Sequence, residues 1–357
     1  MDVNVELAEW SNLMIYSAMA VYTIALIFST IDLFGRGERA PVQTALGAAS
    51  RPAGAKGAVR TSRQRALVTA GGPDDAAEDA DGGGAPGEDS GDGADEPRRT
   101  AGGKAVSPRR MARIGTALIA IAVVLHVAAV VLRTASVQRV PWGNMMEYAL
   151  TATALIGVAY LVSLFFRDLR FMGTFVSGAL LIALGLCITV LYTPAAQLIP
   201  ALDTYWILIH VPVAIFSTVL LYLSAGLTLF QLAKQWYDGA ESPRQVFRFL
   251  RRLPEADSIE RLAYRVAGLG FVTWTFTLIA GAVWAEFAWG RYWGWDTKEV
   301  WTFVVWVIYA AYLHARATRG WTTTAIGVLN LMGFLSVLFN FYVVNVFFTG
   351  LHSYSGL

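Results

Sequence analysis

Four histidines are the residues of this chain best suited to metal chemistry. They are His126, His210, His314 and His352. All four lie in or beside strongly apolar segments, where an ionisable side chain is costly and therefore usually functional. His210 lies near the start of its apolar segment and His352 follows the last one. A neutral imidazole is a good axial ligand for haem iron, so these two side chains could hold a porphyrin from both sides. Each of them alone is equally well explained as an interfacial histidine.

Six of the twelve tryptophans lie between residues 284 and 306, where one apolar segment ends and the next begins. Tryptophan offers wide apolar faces and one indole donor, and Gly290 and Gly294 allow the rings to splay out of a single helical stripe. Tryptophans also collect at membrane surfaces, but such a belt scatters its rings over several helix ends. The clustering therefore favours a binding surface for a large flat ligand. Its predicted rings are Trp289, Trp293, Trp295 and Trp301.

Charged side chains accompany these rings. Arg291, Asp296 and Glu299 are predicted to belong to the same site, and cations there could meet haem propionates. Asp296 stands directly before an apolar run, so it is also a plausible helix N-cap. For Lys298 and for Glu147, a salt bridge or a capping role is an equally good interpretation.

The other two histidines lie at different depths. His314 follows Trp301 by thirteen residues, which places it about 20 Å deeper at about 1.5 Å per residue. Since no other histidine shares this depth, iron bound there would take its opposite ligand from water, from another residue type or, as we predict, from a histidine of a second polypeptide. His126 is predicted to be a hydrogen-bonded packing histidine, with a relay or ligand role as the alternative.

Composition predicts an all-α polytopic membrane protein. Hydrophobic residues make up 55% of the 357 residues and the mean hydropathy is +0.49, which is too apolar for a soluble globule. The sole cysteine, Cys187, lies in an apolar segment, so any thiol reductant must be a separate protein. The net charge of +2 gives a nucleic-acid role no support. About eight spans are predicted, at residues 12–34, 112–133, 146–166, 171–192, 206–232, 265–288, 300–316 and 323–349.

Residues 35–110 interrupt the apolar pattern and are rich in Gly, Ala, Asp, Pro and Arg. Such a segment cannot bury enough apolar surface to offset ordering, so we predict a disordered cytoplasmic linker. It joins a retained N-terminal anchor, residues 1–34, to a haem-handling membrane domain, residues 111–357. Basic residues flank the linker and recur in alternate later loops, so the positive-inside rule places both termini and the tryptophan-rich loop, about 284–300, on the extracytoplasmic face. Residues 241–262 could form an amphipathic surface helix.

Three segments together resemble the haem-handling membrane proteins of cytochrome c maturation that carry the tryptophan-rich WWD signature. Within this family they are most similar to the CcsA (ResC) branch of System II. The first runs from Trp289 through Trp293-Gly-Trp295-Asp296 and on to the helix around His314. The second surrounds His210 and the third surrounds His352. The resemblance covers most of the chain beyond residue 111. Thr297 stands where the signature commonly has proline, and residues 35–110 are not required by the family pattern.

The resemblance implies that His210 and His352 are external ligands of haem b, that the aromatic loop holds the porphyrin, and that His314 is a membrane-embedded ligand on the path from the cytoplasm. It also implies a ResB-type partner that supplies the ligand opposite His314, and haem delivery to the Cys-x-x-Cys-His motifs of apocytochrome c. The protein would then lie in the plasma membrane as the haem-presenting subunit of a holocytochrome c synthase (haem lyase) complex.

Two alternatives come from other functional classes. A transporter of another flat amphipathic solute would explain the aromatic rings but not the placement of the histidines. A b-type haem electron carrier would use paired histidines deep within packed helices, but no apolar segment here carries two. Such a carrier would also have no need of an exposed tryptophan loop.

Overall fold

The computed structural model describes residues 3–34, 108–200, 202–241 and 245–352. The described residues form helices and connecting loops, without a strand. Eight helices are long and apolar enough to cross a membrane, so the chain is a multi-pass membrane protein and the predicted number of spans is confirmed. The helices are α1 (Val5–Phe34), α2 (Pro108–Val137), α3 (Met145–Phe166), α4 (Gly173–Thr189), α5 (Trp206–Asp238), α6 (Ala256–Trp289), α7 (Thr297–Ala317) and α8 (Thr323–Leu338).

Shorter helical turns extend this set. A 3-10 turn, Arg170–Met172, leads into α4. After α8 the chain continues through a π-helical turn, Phe339–Val343, and a last α-helical turn, Val344–Phe347, so that the final span runs from Thr323 to Phe347. Most of the predicted linker, residues 35–107, lies outside the described residues.

The segment predicted as one amphipathic helix, residues 241–262, is divided in two. A 3-10 helix covers Gln245–Arg252, and α6 begins at Ala256. The break falls around Pro254, which fixes its own φ and disfavours a helical conformation for the residue before it. The amphipathic character is nevertheless real, since Leu250 is buried and the ring of Phe249 contacts that of Phe34 at 4.6 Å.

Small polar side chains allow the helices to approach closely. The Ser11 hydroxyl of α1 donates to the Ala129 carbonyl of α2 (2.8 Å), and the Ser217 hydroxyl of α5 donates to the Gly270 carbonyl of α6 (2.7 Å). The Asn330 amide of α8 reaches across to α5, where it donates to the hydroxyls of Ser224 and Thr228 at 2.9 and 2.7 Å. Interhelical hydrogen bonds of this kind bind helices together where no water competes.

The ends of successive helices lie in turn at the two opposite ends of the bundle. At one end the Asn4 amide donates to the Ser136 carbonyl (2.8 Å), and the Leu351 amide donates to Asp296 (2.9 Å). We call this the tryptophan end, because the loop between α6 and α7 lies there. At the other end Arg316 pairs with Glu260 at 2.5 Å. The assignment of the tryptophan end to the extracytoplasmic side stays a prediction of the charge pattern.

Candidate functional site

A cavity of about 690 Å³ lies among α3, α4, α5, α6, the start of α7, and α8 with the turns that follow it. This volume is typical of pockets that bind small organic ligands. His210 and His352 both line the cavity, so the structure brings together two histidines that are far apart in sequence. Most of the wall is apolar, and its aromatic members include Trp142, Tyr148, Trp284, Trp289, Tyr292 and Trp293.

His210 lies in the second turn of α5 and faces α6. Its imidazole fits against the backbone of Gly281, where an added Cβ would lie only 2.9 Å from the ring carbon Cε1. The Trp284 ring meets the imidazole edge-on, with 5.4 Å between ring centroids. His210 Nδ1 is buried without a hydrogen-bond partner among the described residues.

His352 follows the last span and also lines the cavity. Its ring meets Trp289 edge-on at 4.7 Å between centroids, and its Nδ1 lies 3.4 Å from Asp296 Oδ1. Burial lowers the pKa of His352, while the negative charge of Asp296 works in the opposite direction. The net effect favours the neutral imidazole at pH 7, and the neutral form is the one that has a lone pair for a metal.

Asp296 is the N-cap of α7, as the sequence predicts. Its Oδ1 accepts from the Lys298 amide (2.9 Å), and Glu299 completes a capping box by accepting from the Asp296 amide (3.0 Å). Burial alone would raise the pKa of Asp296, but hydrogen bonds from the amides of Lys298 and Leu351 and the nearby His352 together hold that pKa below its usual value. The carboxylate is therefore ionised at neutral pH.

Glu299 also determines the shape of the tryptophan loop. Its Oε2 accepts from the amides of Gly294 (2.8 Å) and Asp296 (3.0 Å), which flank Trp295. Trp295 has a φ of +60°, a left-handed conformation that is unusual for a bulky residue and costs on the order of 1–3 kcal/mol. The two hydrogen bonds hold this strained turn in place.

This turn separates the predicted aromatic residues into two groups. Trp289 and Trp293 line the cavity. Trp295 is 74% exposed and contacts Trp293 edge-on at 5.9 Å. Trp301 packs on Phe339 at 4.2 Å between centroids. In the described structure Trp295 and Trp301 therefore lie outside the cavity wall, and a ligand contact by either stays a prediction.

The cations predicted to meet propionates also differ in position. Arg291 lies 3.6 Å from Glu299 Oε1, outside the described cavity wall. Lys298 does line the cavity, and its Nζ donates to the Asn340 carbonyl at 2.8 Å. Asn340 belongs to the π-helical turn, a feature often found at functional sites. Lys298 thus places an amine where it could meet an anionic group in the cavity.

Glu147 serves a structural role at the same end. It is 1% exposed and lies 2.8 Å from Arg139 Nη1 and 3.4 Å from Arg133 Nε. The two guanidinium groups also donate to carbonyls of the loop after α4, Arg133 to Thr193 and Arg139 to Ala196. The salt-bridge interpretation of Glu147 is therefore correct, and the cluster ties α2, α3 and that loop together.

The remaining two histidines lie away from the cavity wall. His126 is buried in α2, with Nε2 3.4 Å from the Thr153 hydroxyl and its ring edge-on to Tyr22 at 6.1 Å between centroids. These contacts support the interpretation of His126 as a packing histidine. His314 is exposed on α7. The structure therefore separates His314 from His210 and His352, and its role as a ligand stays a prediction.

The cavity residues that were not among the site residues predicted from sequence include Trp142, Trp284 and Gly281. Trp284 and Gly281 are three residues apart on α6, so they share one helix face, and that face receives His210. The sequence signal for this helix face was a glycine three residues before a tryptophan in an apolar helix. Trp142 lies in the loop before α3, and the sequence gives no indication that it approaches the cavity.

The residues present fit a flat metalloporphyrin. Two imidazoles line one cavity from separate elements, aromatic rings stand beside both, and Lys298 offers an amine. A transporter site for another flat amphipathic solute would leave the placement of two imidazoles at one cavity unexplained. The cavity therefore has the donor set that haem iron requires.

Known proteins that are similar to this chain include cytochrome c assembly and biogenesis proteins. Residues 142–352, well over half of the chain, match the cytochrome c assembly protein family. Proteins described as cytochrome c biogenesis protein CcsA are similar to this chain. The one from Gloeobacter violaceus is 30% identical over 296 residues, which cover 68% of this chain and 87% of the relative. The one from Trieres chinensis is 30% identical over 61% of this chain and 78% of the relative. The one from Chlamydomonas reinhardtii is 39% identical over 45% of this chain, and this chain spans less than half of that relative, 43% of its length.

Proposed function

The chain belongs to the cytochrome c assembly protein family, and from this premise we propose that it binds haem in the membrane, holds it at the tryptophan end and presents it for covalent attachment to apocytochrome c. The observation that carries the proposal is that His210 and His352 line one cavity. Membership of the family accounts for haem as the ligand, and the cavity accounts for where it is held. The proposed cargo is haem b, the form that still has free vinyl groups.

The residues of the chain have distinct tasks in this proposal. The neutral imidazoles of His210 and His352 hold the iron, and Trp289 and Trp293 bound the flat ring. Lys298 meets a propionate. Haem supplies the reactive vinyl groups, to which the two thiols of a Cys-x-x-Cys-His motif add to form thioethers. The protein contributes orientation and proximity, which alone can account for a large part of such a rate.

The chain contributes no thiol to this chemistry, because Cys187 is buried in α4. A separate reductant protein must keep the apocytochrome cysteines reduced. We therefore propose that the chain is the haem-presenting subunit of a holocytochrome c synthase complex. The membrane would be the plasma membrane and the tryptophan end its extracytoplasmic side, with membrane lipid around the helices.

His314 has a separate place in the proposal. It is exposed on α7, a helix long and apolar enough to cross a membrane. An exposed imidazole on such a surface is costly unless it meets a partner. We propose that a histidine of a ResB-type membrane protein lies opposite His314 and that the two hold haem on its way from the cytoplasmic side.

The test is maturation of a reporter cytochrome c in cells whose own assembly protein has been deleted. The full chain is expressed with a ResB-type partner, and covalently bound haem in the reporter is measured by haem staining after denaturing electrophoresis. We expect His210→Ala and His352→Ala to abolish the signal at unchanged protein level. Trp236→Ala, a change of an exposed ring on α5 far along the helix from His210, is the control and should leave the signal unchanged.

Normal cytochrome c yield in both histidine variants would refute the proposal. Purified wild-type protein that binds no haem would favour the transporter of another flat solute instead. Haem that binds but is never passed to the reporter would favour the electron carrier.

A further inference from the structure

The Asp296 carboxylate contacts two separate parts of the chain at once. Oδ1 accepts from the Lys298 amide at the start of α7 (2.9 Å), whereas Oδ2 accepts from the Leu351 amide after the last span (2.9 Å). His352 Nδ1 lies 3.4 Å from Oδ1. One side chain thus joins the tryptophan loop to the segment that carries a proposed iron ligand.

The contact with that segment is close. A Cβ at Gly350 would lie 2.5 Å from Asp296 Oδ2, a distance that no ordinary side chain could tolerate. Three consecutive residues, Gly350, Leu351 and His352, therefore meet the same carboxylate. The side chain of Asp296 is only 8% exposed, so little water competes for its oxygens.

Helix capping alone does not explain this arrangement. An N-cap needs one oxygen, as Thr322 illustrates at the start of α8, where its hydroxyl accepts from the Ala325 amide at 3.2 Å. Asp296 caps α7 with one oxygen, and the second oxygen is engaged by the terminal segment. Capping would be equally good with an uncharged side chain, since asparagine and aspartate are comparable N-caps.

We propose that Asp296 is a positioning residue for haem, which holds the Nδ1 side of the His352 imidazole so that the opposite nitrogen, Nε2, is presented to the cavity. This inference rests on the proposed function and deepens it. Histidines that bind metals usually place their second ring nitrogen against a carboxylate or carbonyl, which fixes the tautomer and the ring orientation and makes the ligating nitrogen more basic. Asp296 then acts through His352 and has no need to touch the porphyrin.

Asp296 also affects the position of the tryptophan loop. Because the same carboxylate caps α7 and holds His352, the loop that carries Trp293 and the segment that carries the ligand are fixed relative to each other. Displacement of either one changes the geometry of both. Glu299, the other acid of the capping box, holds the loop but does not take part in this link.

The test uses the purified full chain titrated with haem and compares Asp296→Asn with the wild type. Asparagine keeps an oxygen for the cap of α7, but it removes the negative charge beside Nδ1 and the oxygen that accepts from the Leu351 amide. Loss of such a partner typically weakens metal affinity about 10- to 100-fold, and we expect a loss of haem affinity in that range together with a rise in the reduction potential of the bound haem. Thr322→Ala, which removes a cap at the opposite end of the bundle, is the control and should change neither quantity.

A second variant, Gly350→Ala, tests the same contact if Asp296→Asn does not fold. Gly350→Ala leaves the α7 cap intact but forces a methyl group against Asp296 Oδ2, so it should weaken haem binding in the same direction. On a His352→Ala background, Asp296→Asn should lower the residual affinity much less than in the wild type, because most of its influence passes through that imidazole.

The outcomes separate the two proposals. A wild-type chain that does not bind haem contradicts the proposed function itself. A wild-type chain that binds haem, with affinity and potential unchanged in Asp296→Asn, overturns the inference while leaving the function in place. An equal loss with and without His352 overturns it as well, since Asp296 would then act only on the fold.

Discussion

Gly281→Ala is the substitution that tests the geometry around His210 with the smallest change. The glycine lies in α6 at the point where the imidazole of His210 approaches the helix, and an added Cβ would be 2.9 Å from ring carbon Cε1. Ordinary van der Waals contact begins at 3.4 Å, so the ring must retreat by about 0.5 Å. Trp284, edge-on to the same ring at 5.4 Å, restricts the retreat.

The expected effect follows from that displacement. A misplacement of about 1 Å at a reacting centre costs on the order of 10²-fold in rate, so a shift of half that size should lower the rate of cytochrome c formation about 10-fold, and haem affinity should fall as well. The helix itself should not suffer, because alanine is favoured over glycine within a helix by about 1 kcal/mol. A loss of haem binding without a loss of thermal stability is therefore the predicted combination.

The assay is haem titration of the purified chain followed by absorption spectroscopy, with thermal unfolding of the same samples. Gly268→Ala is a matched control, since Gly268 lies on the same helix and an added Cβ there would meet nothing within 4 Å. If Gly281→Ala bound haem with wild-type affinity and an unaltered spectrum, the imidazole of His210 could not be the ligand, or could not lie where the structure places it.

Three further substitutions test other parts of the account. Glu147→Gln leaves the buried Arg133 and the partly buried Arg139 without their carboxylate, and we expect the free energy of unfolding to fall by about 3–5 kcal/mol. Asp168→Asn is the control, since it breaks an exposed pair with Arg170 worth about 0–1 kcal/mol. Equal effects of the two variants in denaturant unfolding would contradict the structural role of Glu147. Asn330→Leu removes two interhelical hydrogen bonds, so the free energy of unfolding should fall by about 1–2 kcal/mol in the same assay. Wild-type stability of this variant would show that the link between α5 and α8 is unimportant. His314→Ala should retain haem supplied directly to the purified chain but lose cytochrome c maturation in cells, and loss of the directly supplied haem would place His314 in the outer site.

The sequence was sufficient to predict the membrane spans but not the ends of the helices. Hydropathy marks where a helix crosses the membrane, and it fails where a helix continues among charged residues. The start of α6 shows this, because the span was predicted from residue 265 whereas the helix begins at Ala256 and includes Glu260, which pairs with Arg316. Long-range ion pairs of this kind leave no local pattern in the sequence.

The candidate site was only partly predictable for a similar reason. The N-cap role of Asp296 follows from local spacing and is confirmed. Which tryptophans face the cavity depends on the left-handed turn at Trp295, and that turn depends on hydrogen bonds to Glu299. Similarly, the approach of Gly281 to His210 joins two different helices. Such contacts arise only when the chain is folded.

The most direct measurement of the central claim is the absorption spectrum of haem bound to the purified chain, recorded for the wild type, His210→Ala and His352→Ala. If both imidazoles hold the iron, the wild type gives the low-spin spectrum of a haem with two nitrogen ligands, and each single variant loses it until free imidazole is added. A variant of either histidine that kept the full low-spin spectrum without added imidazole would contradict the account.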